Sequence, residues 1–283
     1  MNEPTVELIE PSWLEDRLDK DIRILDAQPN IHDYIQEHIP GAVYFNEGLL
    51  RVPYLGRPGA YVDDEVVTHN FERVGITPST PVAVYTAKGV FSKMGEGLAQ
   101  TMMAYSLARF GVENVYVLNG GLDRWKEEER ELTQLFPSIE ESTYAMKKWD
   151  SFVIEYDEFK EVKDNDGVTL LDARPSSFYT GQGPWIKPGH IPGAINLPWK
   201  GLMAEGNPMQ LRSIDEIRDV LDEKGIFEDN SIICSCGTGR EATNEFLLFK
   251  WYLGFPDVRI YEGSFTEWSS YPDNPTVTGP LPW

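Results

Sequence analysis

The chain has 283 residues, with 46 acids against 25 bases and a formal net charge of −21. That acidic excess disfavours a general nucleic-acid or anionic-membrane surface, and an apolar fraction of 41% argues against wholesale disorder. Its 2 cysteines cannot build a disulfide framework, but they leave room for one reactive thiol.

The start lacks a basic segment followed by an apolar one, and no apolar run is long enough to span a bilayer. The expectation is a cytoplasmic protein with no membrane and no nucleic-acid partner. Taken in chain order, a first β-rich run is IRILDA at Ile22–Ala27, followed by HIPGAVYF from His38 and PVAVYT from Pro81. GEGLAQTMMAYSLARFG then places Leu98, Met102, Tyr105 and Ala108 at helical spacing, with Gly111 as a stop. VYVLNGGLDRW follows at Val115–Trp125. Leu132–Asp150 has no counterpart elsewhere and reads as a connection, with a boundary near Glu140–Thr143.

The same order then begins again. VTLLDAR at Val168–Arg174 answers IRILDA, and HIPGAINL from His190 answers HIPGAVYF. SIICSC at Ser231–Cys236 answers PVAVYT, and VRIYEGSFTEW at Val258–Trp268 answers VYVLNGGLDRW. Ordered matches at a nearly constant interval mean duplication, with domains at residues 1–140 and 141–283. Strands alternating with helices, such as the pattern ending at Gly254, predict an α/β fold: in each domain a largely parallel sheet with helices on both faces. In HIPGA, Pro holds the preceding Ile39 or Ile191 extended and Gly allows a tight turn, a structural role.

Chemistry concentrates in the second copy. Cys236 ends a predicted buried strand and opens the loop CGTGRE, where α/β folds bind ligands. Loop amides and the following helix start should stabilise a thiolate, exposed at the turn, with its pKa below the roughly 8.5 of a free cysteine. Such a thiolate suits attack on an electrophilic sulfur, storage of that sulfur as a persulfide, and release to a second nucleophile. Cys234, two residues earlier on the strand, reads as core. Aligning PVAVYT with SIICSC puts Thr86 at the place of Cys236, so the first copy is expected to be catalytically silent.

These motifs together resemble the tandem-domain rhodanese family of sulfurtransferases: HIPGA at His38, LNGGLDRW at Leu118, DARPSSFYTG at Asp172, GHIPGAINLPW at Gly189, CGTGREA at Cys236 and EGSFTEW at Glu262. The resemblance implies two rhodanese-like domains, an inactive first and a catalytic second. It implies a persulfide on Cys236 and an active-site loop of Gly237, Thr238, Gly239, Arg240 and Glu241. Arg174 matches the family arginine that orients the anionic part of the donor. A guanidinium suits that task, though it can equally pair with Asp172. Arg240 is the second basic candidate; it can guide the donor or pair outward with Glu241 or Glu245.

The expected partners are a small anionic sulfur donor and a thiol, cyanide or protein acceptor. Thiosulfate is the favoured donor. The CGTG start is similar to 3-mercaptopyruvate enzymes, which makes that keto acid the alternative; a noncatalytic sulfur carrier or binding module is a third reading. A phosphatase loop would need arginine at the position of Glu241, and an acid there repels phosphate. The four histidines lack metal-ligand spacing, and no dinucleotide or phosphate-loop glycine pattern occurs, so no metal and no cofactor are expected. Trp185 and Trp199 flank the second HIPGA and read as cleft lining or as packing.

Overall fold

The structure is a computed structural model and describes residues 3–93 and 95–283. Its strands, in chain order, are β1 Thr5–Ile9, β2 Arg23–Asp26, β3 Ala42–Tyr44, β4 Arg51–Tyr54, β5 Arg57–Tyr61, β6 Val82–Tyr85 and β7 Asn114–Leu118. They continue with β8 Val168–Asp172, β9 Ile195–Asn196, β10 Met203–Ala204, β11 Asn207–Leu211, β12 Ser231–Ser235 and β13 Val258–Ile260. The first repeat forms a sheet in the order β1-β7-β6-β2-β3, and the second a sheet in the order β13-β12-β8-β9. Their pairings are parallel. The two α/β domains read from the sequence are therefore present. β4 pairs with β5, and β10 with β11.

The chain divides into two compact units. Unit 1 holds the described residues up to Val52, Tyr61–Trp149 and Ala204–Leu211; unit 2 holds Pro53–Ala60, Asp150–Met203 and Arg212–Trp283. Each unit thus includes a hairpin segment from the other repeat. The connection after Leu132 lies against unit 1: Thr133 bridges His38, and the Tyr144 hydroxyl donates to the Phe110 carbonyl at 2.8 Å.

Central strands read as unbroken apolar runs because both faces are buried. All of β6 is buried, as is β12 from Ile232 onward. The repeats also match bond for bond at the strand ends. Ala27 N–H donates to Tyr85 O as Ala173 N–H does to Ser235 O, and Phe45 N–H to Asp26 O as Leu197 N–H does to Asp172 O. Leu122 N–H donates to Thr86 O as Phe265 N–H does to Cys236 O. Trp125 and Trp268 each sit in a core cluster, with the indole N–H on the carbonyls of Glu131 and Pro275.

Candidate active site

β12 lies between β8 and β13, and its register with β8 ends at the pair Ser235–Asp172. Cys236 is the next residue and the first free to turn away. A loop carries the chain from there to the helix Ala242–Leu247. Gly239, at φ 81°, folds the loop back so that its N–H points at Cys236 Sγ, 3.1 Å away. A Cβ on Gly239 would lie 2.7 Å from the Glu262 carbonyl, and one on Gly237 would lie 2.5 Å from the Trp185 ring. The small residues of CGTG therefore permit close approach, in addition to supplying amides.

The turn after β13 holds this loop from below. Ser264 Oγ accepts the Cys236 N–H at 3.1 Å, donates to the Tyr261 carbonyl at 2.8 Å, and lies 3.8 Å from Cys236 Sγ. Thr266 donates to the Gly237 carbonyl with both its N–H (3.0 Å) and its hydroxyl (2.7 Å). Trp185 N–H donates to that hydroxyl at 2.7 Å. Ser264 holds φ at 51°, a left-handed conformation costly for a residue with a Cβ. The first repeat has Gly121 at the matching position, φ 59°, where the conformation costs little. The second repeat accepts strain and gains a hydroxyl under the cysteine. The sequence reading passed over Ser264 and Thr266; the exchange of NGG for EGS between the copies was the available signal.

Cys236 is fully buried rather than exposed at the turn. Burial pushes its thiol well above the ordinary cysteine range, reinforced by the negative charge of the neighbouring Glu241. The amides of Ala242 and Thr238 act in the opposite direction and do not prevail. The expected depressed pKa is thus corrected: desolvation and a carboxylate outweigh the backbone dipoles. Cys234 is also buried and pushed up, first by desolvation and then by Glu245. Glu245 itself is fully buried, with neither oxygen hydrogen-bonded, and is held well above the carboxylate range.

Arg174 is fully buried and committed to Asp172: Nε lies 2.9 Å from Oδ1, Nη2 lies 2.6 Å from Oδ2, and Nη2 also donates to the Gly189 carbonyl at 3.0 Å. Its guanidinium sits 4.8 Å from the Trp185 ring centre and 4.1 Å from that of Phe265. Nη1 is buried and has no hydrogen-bond partner among the described residues. The first repeat differs at this place. There Gln28 replaces it, bonding Asp26 through its N–H and its side-chain amide, both at 2.9 Å. Burial raises Asp26 to about 6. Thr238, Arg240 and Glu241 are partly exposed around the thiol.

Thr86 occupies the corresponding place in unit 1, buried, with its N–H on Gln100 Oε1 at 3.2 Å. Gln100 Nε2 and Gly120 N–H both donate to the Met209 carbonyl, so the hairpin segment packs at that strand end. His38 and His190 are buried, each with its two ring nitrogens beside carbonyls, of Tyr34 and Leu135 and of Tyr179 and Leu281. This is the structural role read from HIPGA. Among the described residues no group of His, Cys, Asp and Glu is arranged to hold a metal, and no helix is long and apolar enough to cross a membrane.

The model of the rhodanese-like domain matches twice, at residues 10–128 and 155–271. The chain belongs to the rhodanese-like family. A Synechococcus elongatus relative is 35% identical, covering 99% of this chain and 87% of its own. The thiosulfate sulfurtransferase of Azotobacter vinelandii is 30% identical, over 95% of this chain and 96% of its own. The 3-mercaptopyruvate sulfurtransferase of Escherichia coli K12 is 28% identical, over 93% and 95%. The crystal structure of SseA from Escherichia coli, a 3-mercaptopyruvate sulfotransferase with the rhodanese fold, superposes with a TM-score of 0.80 at 27% identity, over 92% of this chain and 99% of that one. This member of the family is a sulfurtransferase.

Proposed function

We propose that the protein moves sulfane sulfur from thiosulfate to a thiophilic acceptor, such as cyanide or a thiol, through a persulfide on Cys236. The observation that carries this reading is the Cys236 cradle: a thiol at the tip of β12, with the Gly239 N–H at 3.1 Å from sulfur and Ser264 Oγ at 3.8 Å. An amide donor aimed at sulfur, as the Gly239 N–H is, favours a terminal persulfide anion over a bare thiol. Cys236 is the nucleophile. Gly237, Thr238 and Gly239 line the sulfur, and Arg240, with Nη1 of Arg174, meets the donor's oxygens. The first domain, with Thr86 at the equivalent place, is scaffold, and Cys234 is core.

Relatives divide between thiosulfate and 3-mercaptopyruvate, so the donor is decided by kinetics. Steady-state rates with each donor, at fixed cyanide, are expected to give ping-pong patterns and a higher kcat/KM for thiosulfate. A higher value for 3-mercaptopyruvate would overturn the donor assignment.

A further inference from the structure

Two donors from one residue grip the first carbonyl after Cys236. Gly237 O accepts the Thr266 N–H at 3.0 Å and the Thr266 hydroxyl at 2.7 Å. Thr266 stands at the start of the helix Ser264–Ser270, where N–H groups have no partner within the helix. Phe265 N–H takes the Cys236 carbonyl in the same way, at 3.0 Å. The hydroxyl is fixed as a donor because the Trp185 indole N–H, which can only donate, occupies its oxygen at 2.7 Å. A planar trans peptide points its C=O and its N–H in opposite directions. With the Gly237 carbonyl turned to Thr266, the Thr238 N–H points away from it.

The first repeat turns the same peptide over. Leu122 N–H on Thr86 O matches Phe265 N–H on Cys236 O, so Asp123 stands where Thr266 does and Lys88 where Thr238 does. The Asp123 carboxylate accepts instead of donating: its Oδ2 takes the Lys88 N–H at 2.9 Å. The Ala87 carbonyl faces Gly95, where a Cβ would collide with it. The loop amide therefore turns toward the helix start in the first repeat and away from it in the second. An acceptor has been exchanged for a donor at the same place where Thr86 is exchanged for Cys236.

We propose that Thr266 is a positioning residue of the sulfur transfer: by holding the Gly237 carbonyl it turns the Thr238 N–H into the ring that the Gly239 N–H closes on Cys236 Sγ at 3.1 Å. This rests on the persulfide reading above. The Thr238 amide is then a second donor to the charged sulfur, as thiolate and as persulfide. The Gly237 carbonyl, whose negative end would repel that charge, is kept out of the ring. Thr266 acts through the loop and takes no part in bond making.

The test compares wild type with Thr266→Val and Thr266→Ser. Each protein is loaded with thiosulfate and titrated with sulfite at one pH, which measures the equilibrium between thiol plus thiosulfate and persulfide plus sulfite. Thr266→Val should shift it about tenfold toward the free thiol, and Thr266→Ser, which keeps the hydroxyl, should stay within about twofold of wild type. An unchanged equilibrium in Thr266→Val would overturn the proposal even if the rates fell, because altered access slows loading and unloading equally. So would a Thr266→Ser variant as impaired as Thr266→Val. Alkylation by iodoacetamide at pH 8, with Cys234→Ser in every protein, needs no sulfur donor. Thr266→Val should alkylate about tenfold more slowly than wild type, whereas a collapsed loop would uncover the thiol and speed the reaction. An equal or faster rate would refute the role. Wild type that takes up no sulfur would sink the persulfide reading, and the alkylation comparison would still decide what Thr266 does.

Discussion

Asp26→Asn tests the cost of the buried carboxyl in the first repeat. Asp26 is fully buried at the end of β2, where burial raises its pKa from 3.8 to about 6 against hydrogen bonds from Gln28 and Tyr85. Because the folded value exceeds the unfolded one, the carboxyl is least costly below the unfolded pKa, and stability is lost as pH rises through about 6. At pH 8 the full shift corresponds to about 3 kcal/mol, and at pH 5 to about half of that. Asparagine removes the titration and keeps an acceptor for the Gln28 N–H, while the Gln28 amide can turn to accept from the new NH2. Asp26→Asn should therefore be more stable than wild type at pH 8, with an advantage over its pH 5 value of about 1.5 kcal/mol. Urea unfolding of both proteins at the two pH values measures this. A difference that is constant with pH, or that shrinks as pH rises, would refute the reasoning.

Arg174→Met should be strongly destabilising, by about 3–5 kcal/mol, since it leaves Asp172 buried without its cation; unfolding midpoints unchanged from wild type would show that the pair is not structural. Gly239→Ala should slow persulfide formation sharply, because a Cβ at φ 81° also meets the Glu262 carbonyl at 2.7 Å. Gly41→Ala, at φ 79° with open space around it, is the control for backbone strain alone, expected to cost about 1 kcal/mol and no activity.

Much of this was legible in the chain. Duplication is written in ordered motifs, and a buried parallel strand ending in CGTG locates Cys236, because strand ends and glycine turns are local properties. What was not legible depends on residues distant in sequence. Trp185 closes over Gly237, and Ser264 reaches Cys236 from the turn after β13. Nothing near CGTGRE signals that the thiol is fully covered, so the dipole argument reached the wrong direction for its pKa. The side chains of Arg174 and Gln28 illustrate the same limit: the choice between pairing inward and gripping a ligand is made by burial, which composition and spacing do not report.

The most direct test of the central claim is mass analysis of the intact protein, followed by peptide mapping, after brief exposure to thiosulfate. The account predicts a gain of one sulfur atom on Cys236, removed by cyanide, present in Cys234→Ser and absent in Cys236→Ser. An adduct missing from Cys236, or lost equally in both variants, would contradict it.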